Sequence, residues 1–347
     1  MVKLVDVAKK ARVSEATASL ALNRKPGVNP VTRERVIKAA RVLGYSPNTL
    51  ARGLATRRTH SIGLVVTDIE NPFFGSLTRY IDQFTLEAGY NLILSVSNDD
   101  LELEARIVQD FIGKRVDGVI LVPTLLPRRD LSYFETLRKH RIPYVFSTSY
   151  YAGVPCACVM TDLEEGSYAL TRYLLGLGHR DILLLVSKSP EVVPSKLRIQ
   201  GFRRAFEERG LALNRKRVVQ CEHTDFECGY ATTLRILKKG KPDAVMAIND
   251  IMALGAKRAI KELGHAIPEE ISVAGYDDVI FSSIPEIPLT TVRQDTRQIG
   301  RLTVELLFRQ IRGKAVSAKV HWVRPDLVIR KSTSACLERS RHEAIGN

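Results

Sequence analysis

The side chains with the widest chemical repertoire in this sequence are its five cysteines, Cys156, Cys158, Cys221, Cys228 and Cys336. Their number is odd and no C-x-x-C pair occurs, which argues against a disulfide framework and against a zinc ribbon. Cys156 and Cys158 share one face of a predicted strand, as do Cys221 and His223, so four zinc-type ligands could converge if those strands met. The simpler reading is that the thiols are buried apolar groups and that the protein holds no metal and no cofactor. Catalytic signatures are missing too. The patterns G-x-x-x-x-G-K-[ST], G-x-S-x-G and H-E-x-x-H do not occur, and Gly176-Leu177-Gly178-His179-Arg180 lacks a third glycine and follows a helix rather than a strand. An enzyme is therefore not expected, although α/β bodies with clefts host many.

Non-covalent ligand chemistry is better represented. Asp68 with Asn71-Pro72-Phe73-Phe74, Ser97-Asn98-Asp99, Arg198, Asn249-Asp250 and Tyr276-Asp277-Asp278 lie at or near the ends of predicted strands, where open α/β sheets place their ligands. Asp and Asn at such junctions also cap helices, so each one alone has two readings. Asp162, three residues before Glu165, reads as a capping box. Charge supplies a second chemistry. Residues 1–60 hold thirteen Lys/Arg against three acids, ten of the +14 carried by all 347 residues. A small basic module on a near-neutral body suits a polyanion: nucleic acid or an anionic membrane surface.

The elements that position these groups are legible. In the basic module Leu4, Val7, Ala8 and Ala11 recur at helical spacing, and Arg12-Val13 breaks the run. Ser14 then caps a second helix containing Thr17, Ala18, Ala21 and Leu22. Asn29-Pro30 starts a third, with Val36, Ile37, Ala40 and Leu43 inward and Gly44 ending it. Such a bundle can present its second helix, with the exposed polar set Ser14, Glu15, Thr17 and Ser19, to a major groove. Ser46-Pro47 and the stretch Asn48 to Ala55 predict a helix too short to be stable alone and weakened by Gly53, which suits a segment that orders on binding.

From Ile62 onward apolar runs near 62–66, 92–96, 119–122, 144–146, 158–160, 182–186, 218–221, 244–248 and 271–276 alternate with helical stretches, the pattern of parallel α/β units in two lobes. With 45% hydrophobic and 26% charged residues the chain has enough apolar surface for several cores. No apolar run is long enough to span a bilayer, and Lys3, Asp6, Lys9 and Lys10 occupy the start where a signal peptide would be apolar, so a cytoplasmic location is expected. An exported solute-binding protein would have no use for the basic module.

The residues D-V-A-K-K-A-R-V-S-E-A-T-A-S-L-A-L-N at 6–23, R-E-R-V at 33–36, L-G-Y-S-P-N at 43–48 and A-R-G-L at 51–54 resemble the LacI/GalR (lactose/galactose repressor) family nearly end to end. The resemblance implies a small all-α helix-turn-helix headpiece plus an α/β two-lobed periplasmic-binding-protein-like domain. It divides the chain into a headpiece (1–47), a hinge helix and linker (48–61), a two-lobed effector-binding and dimerisation domain (62–333) and a polar tail (334–347). Lobe 1 would hold about 62–160 and 290–320, and lobe 2 about 161–289 and 321–333. It further implies a homodimeric repressor that binds palindromic double-stranded DNA under control of a small polar effector: a sugar, sugar derivative, nucleobase or organic acid. An effector-independent regulator that relies on a protein co-regulator is the alternative.

By the same resemblance Glu15, Ala16 and Leu20 read bases, while Ser14, Thr17, Ser19, Asn23 and Tyr45 lie near phosphates. Ala51 and Leu54 belong to the hinge helix, Leu54 as a minor-groove wedge. Phe73, Phe74, Ser147, Arg198, Thr224, Asn249 and Asp277 face the effector. The sequence departs from the family at Lys3 and Leu20, and at Ser147, Thr224 and Thr296, where sugar-binding members carry an acid or stacking aromatics. The subunit interface is expected on 69–83 and 296–312, and an unstructured tail from about residue 334.

Overall fold

The computed structural model describes residues 2–23, 25–45, 58–124 and 130–336. The expected hinge helix, with Ala51 and Leu54, lies outside them. The chain forms two compact units, Met1–Thr59 and His60–Asn347.

The first unit is built from α1 (Leu4–Ala11), α2 (Glu15–Leu22) and α3 (Pro30–Leu43). Its core is Val7, Ala8, Ala11, Ala18, Ala21, Val36, Ala39 and Ala40; side chains this small let three short helices close on one another. The inner stripe of α3 runs through Ala39 rather than Ile37, which stays half-buried. Between α1 and α2, Arg12 takes a left-handed conformation (φ 51°), and the Val13 N–H returns to the Ala8 carbonyl at 3.0 Å. That bond satisfies an orphan carbonyl of α1 and turns the chain within three residues.

The second unit has two parallel sheets. In the first lobe, β1 (Ser61–Val66), β2 (Asn91–Val96), β3 (Gly118–Leu121), β4 (Tyr144–Ser147) and β5 (Cys158–Thr161) alternate with α4 (Pro72–Glu87), α5 (Leu101–Gly113) and α6 (Tyr133–Lys139). The second lobe holds α7 (Leu163–Gly176), β6 (Ile182–Ser187), α8 (Val193–Glu208), β7 (Val218–Cys221), α9 (Phe226–Leu237), β8 (Ala244–Ala247), α10 (Asp250–Glu262) and β9 (Ser272–Ala274), in strand order β7-β6-β8-β9. After β10 (Thr291–Arg293) the chain forms α11 (Thr296–Ile311) and β11 (Val320–Val323), then β12 (Asp326–Val328), which pairs antiparallel with β10.

Strand β11 pairs parallel with β5 and completes the first sheet, order β11-β5-β4-β3-β1-β2. The chain therefore leaves that sheet after Val323 rather than at residue 320. It runs between the lobes three times, after β5, between β10 and α11, and between β11 and β12. Three glycines set the helix spacing of the second lobe: a Cβ on Gly201 would fall 2.1 Å from the Glu164 carbonyl oxygen, one on Gly255 2.1 Å from that of Phe226, and one on Gly229 2.3 Å from that of Met252, so only glycine lets α8 lie on α7 and α10 on α9 so closely.

Within the subunit the two segments expected at a subunit interface pack on each other. Ile299, Val304 and Leu307 of α11 share a core with Leu77 and Ile81 of α4, and Ser76 Oγ lies 2.9 Å from Thr296 Oγ1. Ser334 and Cys336, expected in an unstructured tail, are fastened to the second lobe: Cys336 N–H donates to the Leu177 carbonyl at 2.8 Å and Ser334 N–H to Ser272 Oγ at 3.1 Å. Among the described residues no helix is long and apolar enough to cross a membrane.

Candidate functional site

In the first unit, Ser14 caps α2. Its hydroxyl accepts the Thr17 N–H at 3.1 Å and lies 2.9 Å from Thr17 Oγ1. This leaves Glu15 and Ala16 exposed on the first turn, with Thr17, Ser19 and Leu20 half-exposed beside them. Asn23 closes the helix by donating Nδ2–H to the Ser19 carbonyl at 2.9 Å. Tyr45 packs its ring on the small core and donates its N–H to the Ala40 carbonyl at 2.9 Å. The first turn of α2 is thus a rigid, solvent-facing element whose free N–H groups and short side chains can meet a phosphate backbone and base edges.

In the second unit, the carboxyl ends of the parallel strands of both lobes converge on one cleft. Asn71, Phe73 and Phe74 come from the β1–α4 junction, and Thr148, Ser149 and Val122 from the first sheet. Ser187, Arg198, Thr224, Asn249, Asp277 and Gln294 come from the second lobe and the crossing strands. Phe73 and Phe74 pack edge-on, centroids 5.2 Å apart, and give one wall an aromatic character. A more open part of the same cleft is lined by Asp68, Asn98 and Asp99 on one lip and Lys188, Glu222 and Asp225 on the other.

Arg198 dominates the opposite wall. It is 8% exposed, and its guanidinium stacks on the Tyr276 ring at 4.3 Å from the centroid. One Nη lies 3.5 Å from Asp277 Oδ1, the other 3.5 Å from the Pro194 carbonyl. Nε is buried and has no hydrogen-bond partner among the described residues. Five donors with two long contacts leave the guanidinium under-satisfied, an arrangement that a ligand acceptor would complete.

Asp277 takes Gln294 Nε2–H at 2.7 Å on Oδ1 and sits at φ 114°, which is strained for a residue with a Cβ. The strain is held by its neighbour: Asp278 accepts Arg293 Nε–H at 2.7 Å and Arg330 Nη–H at 2.6 Å. Burial pushes the Asp277 carboxyl up to about 7, against the downward pull of Arg198 and Gln294. Asp250 lies behind it, accepting Val279 N–H at 2.9 Å and the hydroxyls of Ser282 and Thr291 at 2.6 and 2.5 Å. Burial, then the charge of Asp277, moves Asp250 up to about 8.

Of the seven residues expected to face a ligand, the structure brings Phe73, Phe74, Arg198, Thr224, Asn249 and Asp277 to the cleft. Ser147 is elsewhere: it is fully buried at the end of β4, with Oγ 3.4 Å from Thr303 Oγ1 of α11, and its neighbours Thr148 and Ser149 reach the cleft instead. Strand β4 ends at Ser147, and Thr148 leaves it in a left-handed conformation (φ 64°), so the residues just beyond the strand, not its last one, open on the cleft. Asn249 lines the cleft and is also a helix cap. Its Oδ1 accepts Met252 N–H at 2.7 Å as a helix cap, and its Nδ2 donates to the Thr224 carbonyl at 2.7 Å, tying the β7–α9 loop to the cleft. Ser187 and Ser195, whose hydroxyls lie 2.7 Å apart, were not singled out in the sequence, although Ser187 directly follows the run ILLLV.

The four zinc-type ligands weighed in the sequence do not meet. Cys156 and Cys158 belong to the first lobe, where their thiols lie 3.2 Å from the Tyr144 and Ser149 carbonyls. Cys221 lies in the second lobe, against Thr232 Oγ1 at 3.5 Å. Burial pushes Cys156 up to about 12 and Cys221 to about 11, so both are thiols at neutral pH.

Residues 3–48 match the family model of bacterial regulatory proteins, lacI family, and residues 171–333 a periplasmic binding protein-like domain. The chain is 32% identical to the HTH-type transcriptional repressor PurR of Aliivibrio fischeri (strain ATCC 700601 / ES114), across 96% of this chain and 99% of that protein. It belongs to the LacI family. The HTH-type transcriptional regulator DegA of Bacillus subtilis (strain 168) is 30% identical across 95% of this chain and 98% of that protein. Among solved structures, the lac repressor dimer bound to operator and the anti-inducer ONPF superposes with a TM-score of 0.85 at 29% identity, covering 96% of this chain and 99% of that one. A transcriptional regulator CelR–cellobiose complex gives 0.71 at 29% identity over 96% and 100%. This LacI-family chain is a DNA-binding transcriptional regulator with an effector-binding domain, and the relatives it matches are regulators rather than enzymes.

Proposed function

We propose that this regulator is a cytoplasmic repressor that binds an approximately palindromic operator in double-stranded DNA as a homodimer, with its affinity set by a small polar effector in the cleft. In this reading Glu15, Ala16 and Leu20 meet base edges in the major groove, and Ser14, Thr17, Ser19, Asn23 and Tyr45 hold phosphates. Ala51 and Leu54 act at the minor groove between half-sites. Glu15 would accept from a cytosine amino group, and Leu20 offers apolar contact rather than a hydrogen bond. Support for a dimer on an operator comes from the lac repressor complex, and for a sugar ligand from the cellobiose-bound regulator and a ribose-bound one from Enterococcus faecium.

The observation that carries the effector is Arg198. A buried guanidinium with an unpartnered Nε, facing a cleft beside Asp277, is costly to maintain unless a ligand completes it. A sugar, sugar derivative, nucleobase or organic acid with an acceptor toward Arg198 and a donor toward Asp277 fits this wall, with Phe73 and Phe74 covering its apolar face. Such a ligand touches both lobes, so binding changes their angle and with it the DNA affinity. Linkage requires operator DNA to change effector affinity by the same factor, typically about 5- to 150-fold.

Selection of bound sequences from a random DNA pool with the full-length protein, at fixed near-physiological salt, tests the DNA arm. Enrichment of one palindrome is expected. A pool that stays random, with binding lost on adding salt, overturns the reading. The enriched site then serves as the probe for a panel of the four ligand classes.

A further inference from the structure

The parallel sheet of the second lobe has two ends, and the cleft uses one of them. At the other, where β6, β8 and β9 begin, three residues from distant parts of the chain meet. A ring nitrogen of His179, a carboxylate oxygen of Asp243 and Cys336 Sγ lie within 4.8 Å of one another. His179 precedes β6, Asp243 precedes β8, and Cys336 belongs to the segment after β12.

The imidazole is set up as a ligand. His179 is 2% exposed, and its Nε2 lies 3.0 Å from the Ser334 carbonyl oxygen. A carbonyl only accepts, so Nε2 carries the hydrogen and Nδ1 keeps its lone pair. Nδ1 is buried and has no hydrogen-bond partner among the described residues. One N–H anchored on a backbone carbonyl and the other nitrogen bare is how metal-ligating histidines are oriented. The carboxylate is oriented in the same manner, with Asp243 Oδ2 accepting the N–H groups of Arg180 and Asp181 at 2.8 and 2.9 Å. Arg180 sends its guanidinium to the Leu175 and His179 carbonyls, at 2.8 Å each. Cys336 is placed by its own N–H on the Leu177 carbonyl at 2.8 Å.

We propose that His179, Asp243 and Cys336 form a zinc site that fastens the C-terminal segment to the second lobe, with water as the fourth ligand. A nitrogen, an oxygen and a thiolate are the donors zinc prefers, and thiolate plus carboxylate cancel its charge. Bond lengths near 2.0–2.3 Å in a tetrahedron put ligand atoms about 3.5 Å apart, so the cluster closes by roughly 1 Å on loading. The site is remote from the cleft and independent of the effector reading. Binding to the folded state alone stabilises it by mass action.

The test uses untagged, full-length protein stripped with a chelator and titrated with Co²⁺. One equivalent should give a thiolate-to-cobalt charge-transfer band and visible bands of tetrahedral intensity, both removed by one equivalent of Zn²⁺. Cys336→Ser should abolish the charge-transfer band, Asp243→Asn should weaken Co²⁺ binding about tenfold or more, and Cys221→Ser should change neither. Zn²⁺ at about 100 times its Kd should raise the Tm by roughly 5 °C in the unaltered protein and leave it unmoved in Cys336→Ser. Absence of the band, its survival in Cys336→Ser, or an equal Tm rise in that variant would overturn the proposal. Should Cys336→Ser fail to fold, Asp243→Asn, which keeps an oxygen for Arg180 and Asp181, tests the site through the same band: it should appear only at about tenfold higher Co²⁺ or more, and an unchanged titration would overturn the proposal.

Discussion

Glu104 of the first lobe and Asp277 of the second are both buried carboxyls whose protonated form burial favours, yet their surroundings differ in one respect that matters for function. Glu104 is closed in. It accepts the hydroxyls of Tyr133 and Tyr151, and from Thr124 both the N–H at 3.0 Å and the hydroxyl at 2.8 Å. Burial raises its pKa while these bonds pull it down. It is fully buried, and its partners hold Thr124 just beyond β3. Asp277 has Gln294 and a long contact to Arg198, a strained backbone, and an opening onto the cleft. Burial and a raised pKa are common to both, so neither marks a ligand site. Spare hydrogen-bonding capacity at a strained position does.

Removing each network separates the two roles. Glu104→Ala strands two buried tyrosine hydroxyls and the Thr124 donors, and should cost about 3–5 kcal/mol in urea unfolding. Glu104→Gln should recover part of that. A loss below about 1 kcal/mol for Glu104→Ala would break the comparison, since the closed network would then be dispensable. Arg198→Met should do the reverse. It removes an under-satisfied buried cation, so stability should change by less than about 1 kcal/mol. Affinity for the effector that shifts operator binding should fall by about 2 kcal/mol, roughly 30-fold. Isothermal titration with and without operator DNA reads this directly. An unchanged effector affinity would remove Arg198 from the site.

Much of this arrangement was legible in the residues. The headpiece helices followed from Ser14, Asn29-Pro30 and Gly44, because caps and helix stops are local chemistry. Every long strand of both sheets was visible as a β-branched run. What escaped was set by non-local pairing. Strands β10 and β12 span three residues each, and β11 reads as a strand only once β5 is beside it. Gln294 was missed for that reason, since it follows a strand the local pattern does not announce. Ser147 was expected at the cleft because the end of β4 is not marked locally, and Glu104 was not singled out because its partners Thr124, Tyr133 and Tyr151 lie 20–47 residues away. Cys336 was assigned to a loose tail because nothing in the local sequence shows that Leu177 and His179 receive it.

The pH dependence of stability sharpens the contrast further, and its sign is fixed by which force wins at Asp277. From an ordinary value of 3.8, burial takes Asp277 to about 7 and Asp250 to about 8. The folded protein then keeps protons that the unfolded chain has already released. Stability from these groups is full below about pH 4, declines as pH rises, and is lost once pH passes the folded values near 7 and 8. The slope can reach about 1.4 kcal/mol per pH unit for each group. The pair share the proton balance, because the charge of Asp277 raises Asp250. In Asp277→Asn one of the two titrations is gone. The stability advantage of the unaltered protein over this variant, measured by urea unfolding, should therefore shrink between pH 5 and 7 and level off near pH 8. Glu104 titrates in both proteins and largely cancels in the difference. An advantage that instead grows with pH would show that the Arg198 guanidinium outweighs burial, making Asp277 an ionised partner in a conventional salt bridge. The wall of the cleft would then carry its negative charge at neutral pH, and ligands that donate hydrogen bonds to Asp277 would be favoured more strongly than ligands that accept from it.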